Sequence, residues 1–343
     1  MSEGTVPPLD VMCFGETLVD FLPSASGQRV RDVPSWRPCT GGSPANVAVG
    51  LARLGLRSAM LGVVGSDEFG HFLRERLTSE GVDVSHLRQT AEARTGLVFI
   101  SLDERGERSF TYFRTRSAEF LLGAADVDPD FLLRAKAVHC GSNSLHRQEA
   151  REATLRMMEL ARGADRIVSC DPNLRLHAWE DPSELKGLLG HMLPLCSVVK
   201  LSEEEIGFAT GTDVPDEALA RLAAMGVPLP VVTLGERGAV LLWKGEHVHV
   251  PAPRVTVLDT TGAGDGFVAA LLHGLVRWYG SARALSGASR EELIALATFA
   301  CEVGTRVVQR FGAVDGLPRA EELAAVMPSR VGIAEAPKGP PAA

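Results

Sequence analysis

Short, nearly continuous apolar runs alternate with longer helical stretches along most of this chain, and this order limits the folds that the chain can adopt. A run that is apolar at consecutive positions suits a strand buried on both faces, as in a parallel sheet. The predicted strands are Val11–Val19, Ser58–Val64, Ala137–Cys140, Ile167–Asp171, Val198–Leu201 and Val231–Leu234. A further extended run, His247–Val257, precedes a glycine-rich segment considered below.

Helical periodicity fills the stretches between these runs. The predicted helices are Pro44–Leu54, Glu68–Glu80, Gln148–Ala161, Pro215–Met225 and Ala263–Trp278. Strands and helices in alternating order form βαβ units, which place helices on both faces of one sheet. The sequence therefore predicts an α/β fold, a three-layer α/β/α sandwich around a mostly parallel, doubly wound sheet.

Two extended segments interrupt the alternation, Phe21–Trp36 and Thr95–Arg114. Both lie among the N-terminal βα units, so we expect them to pair in one small antiparallel sheet beside the main domain. A small sheet over the strand ends would act as a lid on a ligand cleft. The remainder reads as a single domain over 10–330, with flexible tails at 1–9 and 334–343.

The charge and composition of the chain argue against several functions. Its 343 residues carry a net charge of −8 without a basic block, so we expect no nucleic-acid partner and no membrane partner. No uncharged apolar run reaches the roughly 18 residues of a spanning helix, and the first ten residues lack the apolar core of a secretion signal. Six scattered cysteines without a C-x-x-C pair indicate reduced core thiols in a cytoplasmic protein. They are Cys13, Cys39, Cys140, Cys170, Cys196 and Cys301.

The strongest chemical signal is the glycine-rich segment Asp259–Phe267, which opens a long apolar helix. Such a turn points several backbone amides at one spot, and the positive end of the helix dipole makes that spot suitable for a phosphate. Asp265 lies in the first turn of the helix, beside the same spot. The simpler interpretation is a capping acid after a tight turn at Gly262 and Gly264, which leaves the acid and threonines before the turn unexplained.

A second glycine-rich segment, Gly41–Gly55, contains a glycine pair that permits close approach of a ligand, followed by Pro44, which suits a first helical turn. Asn46 is polar among small apolar residues, so once buried it needs hydrogen-bond partners. From the pattern alone, a sugar hydroxyl and a neighbouring backbone group are equally good partners.

Together these two segments resemble the signature motifs of the ribokinase-like, or pfkB-type, carbohydrate kinases. They lie about 220 residues apart in the order found in that family, and the resemblance runs from about Val11 to Pro318. Within the family the sequence segments are most similar to those of the fructokinases, and the 2-keto-3-deoxygluconate kinases share several of them. The other matching segments are Phe14–Phe21, Asp171–Arg175, Val199–Glu205 and Val232–Gly238.

The resemblance implies a catalytic acid beside a loop that holds phosphate. Asp265 is implied to be the base that takes the proton from the attacking sugar hydroxyl. The loop Gly262, Ala263 and Gly264 is implied to hold the transferring phosphoryl group. A carboxyl with a pKa near about 3.9, lowered further by a helix N-terminus, is a weak base for an alcohol. A loose transition state lets such an acid orient the hydroxyl and accept its proton late.

The sugar ligands implied by the resemblance lie near the chain's N-terminus. They are Asp20, Gly41, Gly42 and Asn46. Asp20 ends a predicted strand, where a carboxylate at the sheet edge accepts hydroxyl hydrogen bonds. The alternative for Asp20 is an ordinary strand-end turn residue.

Arginines supply a second set of candidates. Arg175 follows the predicted strand that ends at Asp171, where it either bridges phosphate oxygens or pairs with a surface acid, with equal weight from the sequence. A substrate that carries a carboxylate, as 2-keto-3-deoxygluconate does, needs a cation in the sugar cleft, for which Arg114, Arg116 and Arg175 are available.

No Gly-x-x-x-x-Gly-Lys-Ser/Thr loop is present in the sequence, so ATP must be held differently. The resemblance places ATP between the Thr233–Gly238 loop and the region after the catalytic acid. The implied nucleotide-binding residues are Thr233, Gly235 and Gly238, with Lys200 and Ser202 nearer the triphosphate and Cys301 near the adenine. Cys301 stands where the ribokinase pattern has an asparagine, which bears on purine selectivity.

Two metal sites are implied as well. Glu205 matches a glutamate that holds Mg²⁺ through water, which suits a cation that loses its hydration shell reluctantly. Its neighbours Glu203 and Glu204 are expected to be solvent-exposed acids in the first turn of a helix. A monovalent cation, K⁺, is implied beside the anion site. Its ligands would be Asp259, Thr261 and main-chain oxygens near Val307 and Gly312.

The function that follows from the sequence is an ATP-dependent sugar kinase, with fructokinase as the leading hypothesis. The alternatives are a 2-keto-3-deoxygluconate kinase and a catalytically silent homologue that binds sugar. The complete Gly262–Asp265 loop disfavours the silent homologue, because a binding protein needs no base. A half-covered lid sheet also makes a homodimer through that sheet plausible.

Overall fold

The computed structural model describes residues 8–24, 27–102 and 108–330. The predicted tail 334–343 and most of the tail 1–9 lie outside these residues. Thirteen strands are found within them. They are β1 Leu9–Phe14, β2 Leu18–Pro23, β3 Trp36–Gly41, β4 Ser58–Gly65, β5 Leu87–Thr90, β6 Leu97–Leu102, β7 Arg108–Phe113, β8 Ala135–Cys140, β9 Ile167–Cys170, β10 Val198–Ser202, β11 Leu229–Thr233, β12 Ala239–Trp243 and β13 Glu246–Val250.

The described residues also form eleven α-helices. They are α1 Ser43–Arg53, α2 Glu68–Ser79, α3 Pro129–Leu133, α4 Gln148–Gly163, α5 Pro182–Met192, α6 Glu203–Thr210, α7 Pro215–Ala224, α8 Ala263–Trp278, α9 Ala282–Leu285, α10 Arg290–Val307 and α11 Ala313–Gly316. All five predicted helices are present, with ends within two residues of the prediction. The prediction of α8 agrees at both ends, because a glycine turn begins it and the apolar pattern ends with Trp278.

Nine strands form the large sheet, in the order β13-β12-β11-β10-β9-β8-β1-β4-β5. The pairings from β5 through to β11 are parallel, and β12 and β13 add an antiparallel edge. Because β1 lies between β8 and β4, the strand order reverses direction there, which is where open α/β sheets bind ligands. The predicted doubly wound, mostly parallel sheet is confirmed.

Consecutive residues of the central strands enter two different cores. Val11 and Cys13 of β1 pack in a cluster with α1, α2, α8 and α10. Met12 and Phe14 pack on the opposite face with α3 to α7. This alternation confirms the three-layer sandwich and explains why strands buried on both faces read as continuous apolar runs.

The lid is a separate four-stranded sheet with the order β3-β2-β6-β7. It consists of two antiparallel hairpins, β2–β3 and β6–β7, joined by parallel pairing of β2 with β6. Its strands start earlier and end later than the predicted segment 21–36, which also includes a short 3-10 helix at Val30–Asp32. The lid has its own small apolar cluster, centred on Leu18, Val98 and Ile100.

Three boundary predictions were wrong. Val11–Val19 is not one strand, because the chain turns at Gly15, where φ is 141°, and passes from the large sheet into the lid. Leu9, expected in the tail, is buried as the first residue of β1. The run His247–Val257 is a strand only to Val250, because Pro251 and Pro253 lack the amide that a strand ladder needs.

All six cysteines are free thiols, and five of them are buried, which confirms the prediction of core thiols; Cys39 in the lid is half-buried. Within the described part of the chain, no helix combines the length and the apolar character needed to cross a bilayer.

Candidate active site

Two cavities meet where α8 begins. The inner cavity, of about 460 Å³, lies between the lid and the carboxyl edge of the large sheet, and Asp20, Asn46 and Asp265 line it. The outer groove, of about 1160 Å³, is bounded by the Thr233–Gly238 loop, the segment after β13 and the face of α10 that carries Cys301. Thr260 and Gly264 line both cavities. A group that moves between the two must therefore pass the N-terminus of α8.

The turn before α8 exposes backbone amides at this junction. Gly262 has a left-handed backbone with φ 79°, and a Cβ there would lie 2.8 Å from the Cα of Ala313, so only glycine fits. Among the described residues, no backbone acceptor is found for the amides of Gly264 and Asp265. Unpaired amides at the start of a 16-residue helix are the arrangement that an anion site requires, and a bound anion stays a prediction.

Asp265 is buried at the inner side of the junction. Ser43 Oγ donates a hydrogen bond of 2.6 Å to Oδ1, and Asn46 Nδ2 donates one of 2.8 Å to Oδ2. The carboxylate makes no capping bond to the helix backbone, so the capping interpretation is wrong. Burial raises the pKa of Asp265 above its ordinary value, although the Ser43 and Asn46 hydrogen bonds oppose that rise. The expected lowering of this pKa is also wrong, because loss of solvent outweighs the helix dipole.

Asn46 has one role that the sequence left open. Its amide nitrogen binds Asp265, while its buried Oδ1 has no hydrogen-bond partner among the described residues. An unpaired acceptor beside a cavity is suited to a hydroxyl donor from a ligand. Ser43, which the sequence analysis did not select, is the second group that orients the acid; its place directly after the glycine pair was the available signal.

A buried ion pair lies on the other side of the junction. Lys200 Nζ is 3.0 Å from Asp171 Oδ2, and both side chains are less than a tenth exposed. Burial raises the pKa of Asp171 to about 6 despite the nearby ammonium. Burial acts to lower the pKa of Lys200, but Asp171, Glu205 and Asp265 outweigh it and raise that pKa, so the lysine stays charged.

Lys200 also faces the turn before α8. A Cβ added at Gly264 would lie 3.1 Å from Lys200 Nζ, so the cation lies directly beside the exposed amides. Lys200 and Ser202 line the inner cavity rather than the outer groove, and their contact with a triphosphate stays a prediction. Asp171, not selected as a site residue from the sequence, holds this lysine in place.

Asp20 extends from lid strand β2 into the inner cavity. A Cβ at Gly41 would overlap its carboxylate, and a Cβ at Gly42, where φ is 97°, would overlap the carbonyl oxygen of Glu16. The glycine pair therefore makes room for two acidic residues of the lid edge. Burial raises the pKa of Asp20 to about 7, with Arg114 and Arg175 opposing the rise.

The two candidate arginines differ in their surroundings. Arg114 Nε donates a hydrogen bond of 3.0 Å to Glu119 Oε1. Burial raises the pKa of the Glu16 carboxyl, and the nearby charge of Arg114 opposes that rise. Arg175 is exposed at the cavity wall and donates to the carbonyl oxygens of Asn173 and Leu174. No described carboxylate lies within ion-pair distance of Arg175, so pairing with a surface acid is not observed. Glu16 and Glu119 were missed from the sequence because each stands singly in a mostly apolar segment.

The outer groove contains the remaining candidates for nucleotide binding. Thr233 Oγ1 donates to the Leu201 carbonyl oxygen over 3.3 Å. Gly235 has φ 57°, and a Cβ at Gly238 would overlap the Val250 carbonyl oxygen. Cys301 lies buried at the groove wall, where its thiol reaches the Val250 carbonyl at 3.9 Å. The groove's size, its glycine-rich edge and the adjacent anion site fit a nucleoside triphosphate.

The candidate metal ligands are engaged in protein contacts. Glu205 accepts hydrogen bonds from the amides of Leu174 and Ser202, the latter as part of a capping box for α6. Within the described ranges, no cluster of three or more His, Cys, Asp or Glu side chains is placed to hold a metal ion. A magnesium ion that Glu205 contacts only through water stays a prediction.

The predicted monovalent-cation loop is closed by hydrogen bonds. Asp259 Oδ1 accepts from the amide and hydroxyl of Thr261, and Oδ2 accepts from the Gly312 amide over 2.8 Å. The Asp259 amide donates a hydrogen bond to the Val308 carbonyl oxygen, which is one residue beyond the predicted Val307. The Val307 carbonyl oxygen accepts instead from the Arg310 amide. The structure therefore brings Asp259, Thr261 and Gly312 together, while a bound cation stays a prediction.

Comparison with known proteins identifies the class that this fold and site define. Residues 8–320 match the pfkB family of carbohydrate kinases. The chain belongs to that family, and it is therefore a phosphotransferase that acts on a sugar hydroxyl. This confirms the resemblance found in the two glycine-rich segments and the predicted ribokinase-like fold.

The chain is similar to several proteins named fructokinase. Fructokinase-2 of Solanum habrochaites is 38% identical over 313 residues, which cover 91% of this chain and 94% of that protein. A fructokinase of Xylella fastidiosa with bound ATP has a TM-score of 0.84 at 32% identity, covering 92% of this chain and 97% of that one. A fructokinase of Vibrio cholerae O395, bound to fructose, ADP and a calcium ion, has a TM-score of 0.82 at 35% identity, covering 93% and 99%.

Proposed function

We propose that this protein transfers the γ-phosphoryl group of ATP to the primary hydroxyl of fructose and forms fructose 6-phosphate. The observation that carries the proposal is the position of Asp265, a buried acid at the junction of two cavities and beside unpaired helix amides. The outer groove is the size of a nucleotide site, and the inner cavity carries polar groups suited to hydroxyls. The fructokinase relatives support the choice of sugar and donor.

In this mechanism the residues position the reactants and stabilise charge. The hydroxyl oxygen attacks the γ-phosphorus, the bond from that phosphorus to the β–γ bridging oxygen breaks, and ADP leaves. The amides of Gly264 and Asp265, with Lys200 beside them, stabilise the charge on the transferring group. The Asp265 carboxylate orients the attacking hydroxyl and takes its proton, while Ser43 and Asn46 hold the carboxylate in place. The burial-raised pKa makes Asp265 a better proton acceptor than an exposed aspartate.

The sugar hydroxyls would be bound by Asp20 and Asn46, with Arg114 and Arg175 at the far wall of the inner cavity. Magnesium, held through water near Glu205 and the triphosphate, would neutralise phosphate charge. We also assign a monovalent cation to the Asp259 loop. The six free cysteines support a cytoplasmic location.

The test of the sugar is a coupled ADP-release assay over fructose, ribose, 2-keto-3-deoxygluconate, tagatose 6-phosphate and adenosine. We expect the highest kcat/KM with fructose. A higher kcat/KM with 2-keto-3-deoxygluconate would assign the inner arginines to a carboxylate and replace the proposal. Absence of turnover with all five, by a folded protein, would contradict the assigned reaction.

The titration of Asp20 predicts how sugar binding changes with pH. Its raised pKa of about 7 means that the carboxylate, the form that accepts two hydroxyl hydrogen bonds, is present above pH 7 and is lost as pH falls through 7. We expect the fructose KM to rise below pH 7. Asp20→Asn should raise KM by about tenfold or more, the effect of losing a charged hydrogen-bond partner, and should flatten that pH dependence.

The control for this prediction is Asp32→Asn, which removes an exposed acid between β2 and β3 that forms an ion pair with its neighbour Arg31. It should leave both the KM and its pH profile unchanged. A wild-type pH profile in Asp20→Asn would remove Asp20 from the sugar site.

The cation loop predicts a dependence on the salt present. An ion coordinated by oxygens of the Asp259 loop would fix the turn before α8 and add positive charge beside the anion site. We expect faster turnover in KCl than in NaCl at equal ionic strength, with the difference lost in Asp259→Asn. Equal rates of the wild-type enzyme in both salts would contradict the site.

The lid also carries the proposed homodimer contact. Phe113 at the end of the edge strand β7 is 60% exposed, and Phe110 on the same strand is 40% exposed. Exposed aromatic side chains on an unpaired edge strand favour association with a second copy. Sedimentation of the wild-type chain and of Phe113→Asp tests the contact, because only the first should dimerise.

A further inference from the structure

A third cavity, which we call the basic cavity, adjoins the inner cavity on the side away from α8. It measures about 470 Å³. It shares Tyr112, Arg114, Asn143 and Arg175 with the inner cavity. None of these four residues belongs to the turn that joins the inner cavity to the outer groove. The inner cavity therefore has two neighbours, the nucleotide groove at one end and the basic cavity at the other.

The basic cavity has more positive than negative charge. Four arginines line it, Arg114, Arg116, Arg147 and Arg175. Arg114 is paired with the buried Glu119. In the part of the chain that the structure describes, Arg116, Arg147 and Arg175 have no carboxylate within ion-pair distance. Three cationic side chains are thus left without an anionic partner at one concave surface.

The acids of the same cavity do not balance these charges. Glu184 is held by Arg151, which lies 2.7 Å away on α4. Glu180 is the other acid of the wall. Like charges that share a concave surface repel one another, and the chain as a whole carries a net charge of −8. The cavity is therefore locally positive in a protein of negative net charge, which favours binding of an anion there.

Aromatic side chains give the basic cavity a fixed shape. The rings of His146 and Trp179 stack with centroids 4.2 Å apart, and Phe120 meets His146 edge-on. The ring centroid of Tyr112, on the wall shared with the inner cavity, lies 5.3 Å from that of His177. Burial, together with the charges of Arg114 and Arg147, lowers the pKa of His146 to about 4, so this ring adds no positive charge at pH 7.

We propose that the basic cavity is an anion-binding site that takes a small phosphate, either inorganic phosphate or a phosphate monoester, and that its occupation weakens sugar binding. Guanidinium groups bind phosphate oxygens in pairs, and three of them without acidic partners surround this cavity. The site is separate from the anion site at α8 and goes beyond the proposed reaction.

The shared wall couples the two sites. The charges of Arg114 and Arg175 oppose the rise that burial causes in the pKa of Asp20, so both guanidinium groups stabilise its carboxylate. A phosphate in the basic cavity would compete for those same guanidinium groups and favour the protonated form of Asp20. We therefore expect phosphate to raise the KM for the sugar and to leave kcat little changed.

The direct test is calorimetric titration of the full chain, without nucleotide or sugar, with sodium phosphate and separately with glycerol 3-phosphate against a chloride solution of equal ionic strength. Arg147→Gln should weaken binding at least about tenfold, the effect of removing one charged hydrogen-bond donor. The matched control is Arg156→Gln, an exposed arginine on α4 outside the cavity, which should bind as the wild type does. Gly264→Ala, which adds a methyl group at the α8 anion site, should also bind as the wild type does.

The outcomes separate the two anion sites and the two sources of phosphate. Loss of binding in Gly264→Ala with retention in Arg147→Gln would place the anion at α8 and overturn the proposal, as would an absence of binding in the wild type. Tighter binding of glycerol 3-phosphate than of phosphate, with equal loss in Arg147→Gln, would identify a phosphate monoester as the ligand. Equal affinities would identify free phosphate. Because the titration needs no turnover, failure of the fructokinase assay would leave its result intact.

Discussion

Asp265→Asn is expected to lower kcat by about 10²–10⁴, the range for a lost acid–base group, while the affinity for ATP changes little. The amide cannot accept the hydroxyl proton, whereas the backbone amides and Lys200, to which we assign the phosphates, are unchanged. The measurement is steady-state ADP release, with ATP affinity determined separately by equilibrium titration. Turnover near that of the wild type would remove Asp265 from the mechanism.

The matched control is Glu204→Gln, since Glu204 is an exposed acid that lines the same cavity. It should keep wild-type kcat, which would show that losing any negative charge from the cavity is not enough. Folding is a second control, because Asp265 is buried and bonded to Ser43 and Asn46. An unchanged melting temperature in Asp265→Asn would assign the loss of activity to chemistry rather than to a distorted site.

Lys200→Met should lower the free energy of unfolding by about 3–5 kcal/mol at pH 8, because it leaves Asp171 buried without its partner. The loss should be smaller at pH 6. Burial already raises the pKa of Asp171 to about 6, and without the ammonium that pKa rises further. At low pH the stranded carboxyl is therefore protonated and neutral, and the destabilisation grows as pH increases. Urea denaturation at the two pH values measures both effects.

Arg290→Met is the comparison, because Arg290 forms an ion pair with Glu246 in which both side chains are well exposed. Its effect should stay below about 1 kcal/mol, as is usual for surface pairs. Equal losses in both variants, or a loss in Lys200→Met that does not depend on pH, would contradict the account of the buried pair. Activity of Lys200→Met should also fall, since its ammonium lies beside the anion site.

The glycine-rich junction is the part of the site that the sequence predicts best. Local chemistry decides it, because a turn that needs glycine at Gly262 and an apolar run after it define the start of α8 without reference to the remainder of the fold. The same reasoning predicts the central strands, because burial on both faces makes their consecutive residues apolar. Helix α10 was missed, although Ser289 and Glu292 form a capping box at its start and its buried residues from Leu293 to Val307 recur at helical spacing.

Features that depend on distant contacts were harder to predict. The division of Val11–Val19 into two strands depends on which sheet each half joins. The end of β13 at Val250, by contrast, had a local signal in Pro251 and Pro253, which cannot donate to a strand ladder. The pKa of Asp265 shows the same limit. Sequence supplies its place at a helix N-terminus, but the direction of its pKa shift depends on burial by α1 and the lid, which the pattern of residues does not reveal.

The division of the inner cavity between two sheets has a consequence for heat resistance. Asp20 belongs to the lid, whose own apolar cluster is centred on Leu18, Val98 and Ile100, whereas Asp265 belongs to a helix packed in the large core. Segments with few buried contacts open at lower free-energy cost than the molecule as a whole. On warming, activity should therefore be lost several degrees below the melting temperature of the sandwich. Fructose added beforehand should reduce the difference between these two temperatures, because it would bind groups of both the lid and the large domain.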